Sequence, residues 1–388
     1  MGGRDGADVT GGGDHQRGGI ALRDFGGIVE RSPARVVRPA SAREAAEAVR
    51  EAAAHGLETV PRGLGHSTYG QSLTAGVSLD LGALAGVHEV GPDRAVVGAG
   101  TTWRAVLAAT LPLGLTPPVL TDHLDVTVGG TISAGGLGGA SHRYGTQAEN
   151  LLALEVVTDG ELVTCSPDVR PDVFDAVRGG LGRHGVITAA TLRLVPAPGR
   201  VLSCTIPCRD AADLLRVQRE TPADHISGQV KPSEDGWAYE AKAVLYGQGE
   251  PPPGTAEAEE LSYADFADRM RPDVEELIAL GEWARPHPWG IVLLPGPAAA
   301  ALIGSTVAGM TAADLGLGGV IVVKALRVGR VPMLRAPDDP VLFGVLRTAS
   351  PGCASVAEML AANRLLLDRA EAVGGVRYAV DAVPPPTG

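Results

Sequence analysis

The sequence contains few cysteines, and their spacing gives them no structural role. The four cysteines, Cys165, Cys204, Cys208 and Cys353, form no CxxC pair and no arrangement typical of a zinc site. We interpret them as ordinary core or surface thiols. The pattern argues against a disulfide-stabilised scaffold and against a structural metal.

Lysine is also scarce, and acidic residues outnumber basic ones by 45 to 33. Lysine occurs only at Lys231, Lys242 and Lys324, the formal net charge is -12, and the isoelectric point is about 5.2. A nucleic-acid-binding surface needs clustered positive charge, so that class of partner is not expected. The shortage of lysine beside abundant alanine and glycine is typical of a GC-rich bacterial genome.

Long apolar runs are absent as well. None approaches the length of about 18 residues that a membrane-spanning helix needs. The opening residues, "MGGRDGADVTGGGDHQRGG", lack the apolar core of a secretory signal. We therefore expect a soluble, cytoplasmic protein without a membrane partner, and we predict that glycine-rich residues 1–19 are disordered.

The chain is nevertheless long and apolar enough to form two domains. It has 388 residues, of which 45% are hydrophobic. Helical and strand patterns mix without a regular βαβ repeat, which predicts an α+β fold. The predicted helical segments become longer after Pro198, so we predict a first domain over 20–198 and a second over 199–355. A C-terminal segment, 356–388, follows and is predicted to carry a helix.

Local signals predict several of the elements. Ser41 and Glu44 form a capping box ahead of a helix that Gly56 ends. The run "LLALEVVTDGELVTCS" predicts a hairpin that turns at Asp159 and Gly160. Longer helices are predicted over 210–220, 256–280 and 355–373.

Two glycine-dense segments are the most informative part of the sequence. They are "RGLGHSTYGQS", residues 62–72, and "VTVGGTISAGGLGG", residues 126–139. Glycine lets backbone N–H groups approach a phosphate closely. Neither segment has the spacing of a Rossmann dinucleotide site or of a P-loop. Composition alone leaves two interpretations open, a phosphate-containing cofactor or a loop-rich structure.

Five sequence blocks, in order, extend the interpretation. They are "DFGG", "PRGLGHSTYGQS", "TDHLDVTVGGTISAGGLGGASHRYGTQAENL", "LEVVTDGELVTCS" and "FDAVRGGLGRHGVITAATLRL". Together, from about residue 24 to residue 195, they resemble cytokinin dehydrogenases, within the vanillyl-alcohol-oxidase-like (PCMH-type) FAD flavoproteins. The later "RPHPWGIVLLP" and "NRLLLDRAEAVGGVRY" resemble segments of the same family, and the second implies that the C-terminal segment, 356–388, carries a helix that returns to the FAD-binding domain. The resemblance implies a PCMH-type FAD-binding domain of two α+β subdomains over 20–198 and an α+β substrate-binding cap domain over 199–355.

The resemblance also implies a cofactor, FAD, and a covalent bond to it. In the family, the histidine of the GHS motif bonds to the 8α-methyl group of FAD, and His66 is the matching residue. The residues alone leave a hydrogen-bonding turn histidine as the alternative. No cysteine occurs in the second glycine-dense segment, so we predict a single attachment. The positions that the resemblance assigns to cofactor binding are Gly63, Leu64, Gly65, His66, Ser67, Gln71, Ser72, Asp122, Thr127, Gly129, Gly130, Ser133, Leu137, Val186 and Ile187.

Asp122 matches the position of the family's catalytic aspartate. A carboxylate suits that place because positive charge develops on a substrate that loses hydride to flavin N5, and because a carboxylate accepts a proton from N–H or O–H. Asp125 is the alternative for this role, and either residue could instead cap a turn. We expect His123, His142, Arg143 and Tyr144 to be structural. His287 and Trp289 are candidates for a pocket wall.

These observations predict an FAD-dependent dehydrogenase or oxidase that acts on a C–N or C–O bond of a small molecule in bacterial specialised metabolism. Oxygen or another acceptor would reoxidise the flavin. The sequence "YAVDAVPPPTG" stops before a segment with which the family covers the flavin, so we expect one side of the site to be open or covered by a partner chain. A flavin-dependent isomerase or cyclase, and a non-catalytic FAD-binding protein, are the alternatives.

Overall fold

The computed structural model describes residues 21–247 and 249–384. The predicted tail over 1–19 lies outside these residues. Three small β-sheets and one five-stranded sheet occupy the part of the chain before Pro198, and one large sheet occupies most of the rest. Within the described residues, no helix combines the length and apolar character that crossing a bilayer requires.

The first part of the chain begins with a hairpin and a small parallel sheet. Strands β1 and β2 pair antiparallel, and β3, β5 and β4 pair parallel in that spatial order. Helix α1 connects β3 to β4. The bounds are β1 Leu22–Arg23, β2 Glu30–Arg31, β3 Arg35–Val37, α1 Ala42–Ala54, β4 Thr59–Arg62 and β5 Val77–Asp80.

A five-stranded antiparallel sheet follows, in the spatial order β10-β9-β11-β7-β6, and a separate pair joins β8 to β12. Short helices cover this sheet. The bounds are β6 Val87–Val90, β7 Arg94–Gly98, α2 Trp103–Thr110, β8 Leu115–Thr116, α3 Val128–Ala134, α4 Ser141–Tyr144, β9 Leu151–Thr158, β10 Glu161–Cys165, α5 Pro171–Val177, β11 Val186–Arg193 and β12 Val195–Pro196.

The second part of the chain is built on an eight-stranded antiparallel sheet of order β16-β13-β15-β14-β18-β19-β17-β20. The bounds are β13 Arg200–Cys208, α6 Ala211–Glu220, β14 His225–Ser233, β15 Gly236–Tyr246, β16 Glu257–Ser262, α7 Tyr263–Ala267, α8 Arg271–Ala279, β17 Gly290–Pro295, α9 Gly296–Ala308, β18 Val320–Ala325, β19 Pro340–Leu346, α10 Val356–Glu371 and β20 Val376–Arg377. Single 3₁₀ turns occupy Leu81–Ala83, Leu111–Leu113, Gln147–Glu149, Ala312–Asp314 and Pro332–Leu334.

The two faces of the large sheet differ because side chains alternate along each strand. On one face, Val323 and Phe343 are fully buried beneath α6, α9 and α10. On the other face, Val322 and Lys324 line a cavity. The alternation therefore assigns one face of this sheet to the core and the other to the site.

Local sequence signals located several elements correctly. Ser41 accepts a hydrogen bond from the backbone N–H of Glu44, and helix α1 starts where the capping box predicts. The hairpin of β9 and β10 is confirmed, with positive φ at Asp159 and Gly160. Ser355 caps α10.

The continuous helix predicted over 256–280 is wrong. Its first residues form β16, which pairs with β13 and becomes the edge of the large sheet. Two short helices, α7 and α8, follow. Hydrogen bonding to a strand some fifty residues earlier outweighs local helix propensity here, which is the usual limit of propensity arguments.

The C-terminal helix packs differently from the expectation. Leu366, Leu367 and Ala370 of α10 belong to the core behind the large sheet, and α10 contacts β17 and β20. The contacts that we expected this helix to make with the first part of the chain are made by the residues after it, around Val380. The helix therefore packs against the large sheet and stabilises it.

Leu293→Ala should lower the free energy of unfolding by about 2–5 kcal/mol, because it opens a cavity at a fully buried position of β17. Urea denaturation followed by circular dichroism measures the change. Leu365→Ala is the matched control, since Leu365 of α10 is 59% exposed and its truncation should cost no more than about 0.5 kcal/mol. Equal losses in the two variants would contradict the burial of β17.

Candidate active site

A cavity of about 800 Å³ lies between the first glycine-dense segment and the open face of the large sheet. One wall is formed by residues 63–67 together with α3. The opposite wall is formed by β13, β14, β15, β18 and β19. Its volume is in the range of small-molecule and cofactor sites.

The first glycine-dense segment presents unpaired backbone donors to this cavity. The N–H groups of residues 63–68 donate no hydrogen bond within the part of the chain that the structure describes. The carbonyl groups of Gly65 and Ser67 accept from the N–H groups of Phe25 and Gly26, at 2.8 and 3.0 Å. The segment is thus fixed through its acceptors while its donors stay available, which is the arrangement that binds an anion.

Glycine is required at two positions of this segment. Gly65 has φ +70°, a conformation that disfavours other residues. A Cβ atom on Gly63 would lie 2.2 Å from Oγ1 of Thr127. The absence of side chains therefore lets the first segment approach α3.

The second glycine-dense segment is partly helical, and its role differs from the first. Residues 128–134 form α3, and the hydroxyl of Thr127 accepts from the N–H of Gly130 at its start. The N–H groups of Val128 and Gly129 donate to carbonyls of Thr101 and Ala99. The expectation of a second loop that supplies free donors is therefore wrong at these positions, and glycine here permits close packing.

Of the fifteen residues assigned to cofactor binding, the structure places all but one in the cavity lining. Val186 is the exception, since its side chain packs with Leu79 and Val157 in a separate core cluster. Side-chain polar atoms of the first segment are largely committed elsewhere. The hydroxyl of Ser67 donates to Asp24 and lies 3.0 Å from the hydroxyl of Ser72.

His66 lies in a group of aromatic rings. Its ring centroid is 4.1 Å from that of Phe25, 5.0 Å from that of His123, and 6.1 Å from those of Trp283 and Trp289. Burial, with the positive forms of His123 and His287 nearby, lowers the pKa of His66 to about 3. The imidazole is therefore neutral at physiological pH, so one ring nitrogen keeps the lone pair that a nucleophile needs.

Asp122 faces the cavity between two cations. Its Oδ2 lies 2.6 Å from Nζ of Lys324, and its Oδ1 lies 2.5 Å from Nη2 of Arg269. Burial alone would raise the pKa of this carboxyl, but Lys324 and Arg269 outweigh it and hold the pKa well below its ordinary value. The side chain is 35% exposed, so an ionised carboxylate is accessible from the cavity.

Asp125, the alternative to Asp122, does not line the cavity. Both of its oxygens accept hydrogen bonds from Arg104, at 2.6 and 2.7 Å, and Arg104 also donates to Asp268. Hydrogen bonding from Arg104 lowers the pKa of Asp125 despite its partial burial. Asp125 therefore belongs to an ion-pair network that ties α2 to the segment between α7 and α8.

Comparison with known proteins decides the family. A model described as an FAD binding domain matches residues 33–166. An uncharacterised oxidoreductase of the fasciation locus of Rhodococcoides fascians is 39% identical over 93% of this chain and 87% of its own length. Cytokinin dehydrogenase 8 of rice (Oryza sativa subsp. japonica) is 33% identical over 92% of this chain and 81% of its own length.

The chain belongs to the cytokinin dehydrogenase-like family of FAD-binding oxidoreductases. The match to rice cytokinin dehydrogenase 7, 35% identical, covers 71% of this chain and 64% of that enzyme, so the likeness is less complete there. The family resemblance and the FAD cofactor predicted from the sequence blocks are thereby confirmed, as is a PCMH-type FAD-binding domain.

The residues of the cavity fit the cofactor that the family uses. The unpaired N–H groups of residues 63–68 suit a pyrophosphate, because aligned backbone donors bind phosphate oxygens. The aromatic rings of Phe25, Trp283 and Trp289 suit flat, apolar ring systems. This FAD-linked oxidoreductase therefore has both the polar cradle and the apolar wall that a flavin nucleotide requires.

The other candidates named from the sequence lie in two settings, the cavity wall and contacts between segments of the chain. His287 and Trp289 both line the cavity, and His287 stacks on Phe25 with ring centroids 4.1 Å apart. His142 connects two segments through the carbonyls of Gly139 and Ala223, a structural contact. Sequence reasoning did not place Arg143 in its ion pair with Asp224.

Three polar residues close to Asp122 were not identified from the sequence. Lys324 interrupts the apolar strand β18, and a charged residue in such a run, in a chain with three lysines, was the signal that could have found it. Arg269 and His225 carry no comparable signal. They reach Asp122 only through the tertiary fold, since Arg269 follows α7 and His225 begins β14.

The oxidoreductase closes one end of the cavity with residues 378–382. The hydroxyl of Thr68 donates to the carbonyl of Val380 at 2.5 Å, and the amide of Gln71 donates to the carbonyl of Asp381 at 2.7 Å. Asn363, fully buried, donates to the carbonyl of Ala382. This C-terminal strap, residues 378–382, therefore fixes the first glycine-dense segment from outside.

Asp381 makes the strap sensitive to pH. It is fully buried beside Arg377, and burial raises its pKa to about 6, with Arg377 opposing the rise. A pKa raised above its unfolded value means that the folded state binds more protons between pH 4 and pH 6. Stability from this group is present at low pH and is lost as the pH rises through 6.

Asp381→Asn should remove that dependence. The wild-type contribution amounts to about 1 kcal/mol more stability at pH 5 than at pH 7, and the variant should lack this difference. Thermal unfolding at the two pH values measures it. Asp368→Asn, at an exposed position of α10, is the matched control and should behave as wild type. An unchanged pH dependence in Asp381→Asn would show that other groups cause it.

Proposed function

We propose that the protein is an FAD-dependent dehydrogenase or oxidase that removes hydride from a C–N or C–O bond of a small molecule. Bound FAD supplies the hydride acceptor, flavin N5. The observation that carries the proposal is that one cavity is lined by His66, by Asp122 and by residues 63–67, whose N–H groups have no partner among the described residues. We assign the enzyme to bacterial specialised metabolism in the cytoplasm.

The chain's own residues hold the cofactor in two ways. The N–H groups of the first glycine-dense segment bind the pyrophosphate, with α3 against it. His66 would be the residue that holds the 8α-methyl carbon of FAD through a ring nitrogen, a role for which its neutral form is suited. The second glycine-dense segment contains no cysteine, so this attachment is single. The proposed cofactor contacts are the residues named from the sequence, with Val186 contributing only its backbone position at the end of the domain.

Asp122 is the proposed catalytic residue. Because Lys324 and Arg269 hold it ionised, it accepts a hydrogen bond from the O–H or N–H group of the bound substrate at any pH near neutrality. That bond orients the adjacent C–H bond and stabilises the positive charge that develops as hydride leaves. The apolar lining excludes water from the reacting groups.

The substrate contacts the open face of the large sheet. Val320, Val322 and Leu346 form an apolar part of this wall, and Trp283 and Trp289 adjoin it. Relatives named cytokinin dehydrogenases make cytokinins the first compounds to test. Reoxidation by oxygen or by another acceptor completes the cycle.

His66→Gln should abolish covalent flavin attachment. Denaturing gel fluorescence and intact mass should show one FAD on the wild type and none on the variant, because no other residue supplies the bond. His88→Gln, on an exposed position of β6, is the matched control and should keep the flavin attached. A wild-type mass equal to that of the bare chain would defeat the covalent assignment.

Asp122→Asn should slow anaerobic flavin reduction by about 10²-fold or more, the scale expected when a positioned carboxylate is lost, while leaving FAD bound. Stopped-flow bleaching of the flavin by a panel of amines and alcohols, isopentenyladenine included, measures the rate. Asp125→Asn is the matched control three residues away, outside the cavity, and should retain the wild-type rate. Equal rates in wild type and Asp122→Asn would remove Asp122 from the mechanism.

A further inference from the structure

The polar group around Asp122 contains more positive than negative charge. Lys324, with 5% of its side chain exposed, and Arg269, with 28%, both pair with the one carboxylate of Asp122. Nε2 of His225 lies 3.4 Å from Nη2 of Arg269, and burial together with Arg269 lowers the pKa of His225, so this ring adds no charge. The group therefore has a surplus of one positive charge inside the protein.

Other acidic residues of the cavity lie on different elements. Glu257 and Glu259 belong to β16, which three strands separate from β18. At a strand spacing of about 4.8 Å, that is roughly 19 Å from Lys324. Asp273 of α8 forms an ion pair with neither Lys324 nor Arg269 among the described residues, and Lys242 is offset by Glu240 at 3.3 Å. The surplus at Asp122 is thus local.

Hydrogen-bond donors without partners adjoin the surplus. Gly228 pairs with Val323 in the antiparallel ladder of β14 and β18, so Ser227 and Lys324 are next to each other. Ser227 lines the cavity, is 9% exposed, and its hydroxyl has no hydrogen bond among the described residues. Nδ1 of His225, a residue 6% exposed, is likewise without a partner.

We propose that Lys324, Arg269 and Ser227 form a subsite for a carboxylate group of the substrate. A buried unbalanced charge is costly, and an anion that accepts from an ammonium, a guanidinium and a hydroxyl removes the cost. The surplus equals the charge of one carboxylate, whereas a phosphate dianion would exceed it beside Asp122. This inference rests on the proposed function and names its substrate class. The substrate is a carboxylic acid, and the C–O or C–N bond that the enzyme oxidises lies near Asp122.

Isothermal titration of the flavin-loaded protein with benzoate and with benzamide tests the subsite. The two probes share a ring and differ in charge. Benzoate should bind at least about tenfold more tightly, since a charged hydrogen bond contributes about 1.5–3 kcal/mol. Lys324→Met should reduce this preference to about twofold or less, and Lys231→Met, at a partly exposed position outside the cavity, should keep it.

Two further variants keep the test decisive if Lys324→Met is unstable. Ser227→Ala removes a single hydroxyl and should weaken benzoate binding about tenfold, the scale of one hydrogen bond to a charged group. Asp122→Asn raises the surplus by one charge and should tighten benzoate binding, although it slows flavin reduction. Opposite effects of Asp122→Asn on binding and on reduction are not expected of a merely structural change.

Several results would overturn the subsite. Equal affinity for benzoate and benzamide would do so, as would tighter binding of phenyl phosphate than of benzoate, or a preference that Lys324→Met and Ser227→Ala leave intact. These outcomes leave the proposed function standing. Conversely, a protein that takes up no flavin defeats the proposed function, and titration of that flavin-free chain with benzoate would still report on the subsite.

Discussion

The site depends on one constraint: among the described residues, the backbone N–H groups of residues 63–68 have no hydrogen-bond partner. Buried donors without partners are costly, so the surrounding structure has to hold the segment by other atoms. Phe25 and Gly26 bind its carbonyls, Thr127 packs against Gly63, and the C-terminal strap binds Thr68 and Gln71. An anion would relieve the cost, which supports the proposed role of the segment as a binding site and accounts for its three separate supports.

The cavity has two regions that differ in their electrostatic character. Around His66 the aromatic rings exclude charge and keep the imidazole neutral, which suits it to bond with an electrophilic carbon. Around Asp122 two cations hold a carboxylate ionised. Arg269 comes from the segment between α7 and α8 and Lys324 from the large sheet, whereas Asp122 comes from the first part of the chain. The ion pairs therefore also join the two parts of the molecule at the proposed substrate site.

The sequence predicted structural features that depend on neighbouring residues, and it missed features that depend on contacts between distant residues. Ser41 and the Asp159-Gly160 turn act within a few positions, and they located their elements. The glycine-dense segments located one wall of the cavity because backbone access is a local property. The run over 256–280 was misread because pairing of β16 with β13 is not visible locally. Only the tertiary fold brings Lys324, Arg269 and His225 close to Asp122, so no motif near Asp122 predicts their position.

The strap has a consequence for the order of biosynthesis. The carbonyls that bind Thr68 and Gln71 belong to residues 379–381, more than 300 positions later in the chain. While the ribosome is still adding the large sheet, the phosphate cradle exists without one of its supports. Firm binding of the nucleotide is therefore expected only after residues 379–381 have been synthesised and have folded against the first glycine-dense segment.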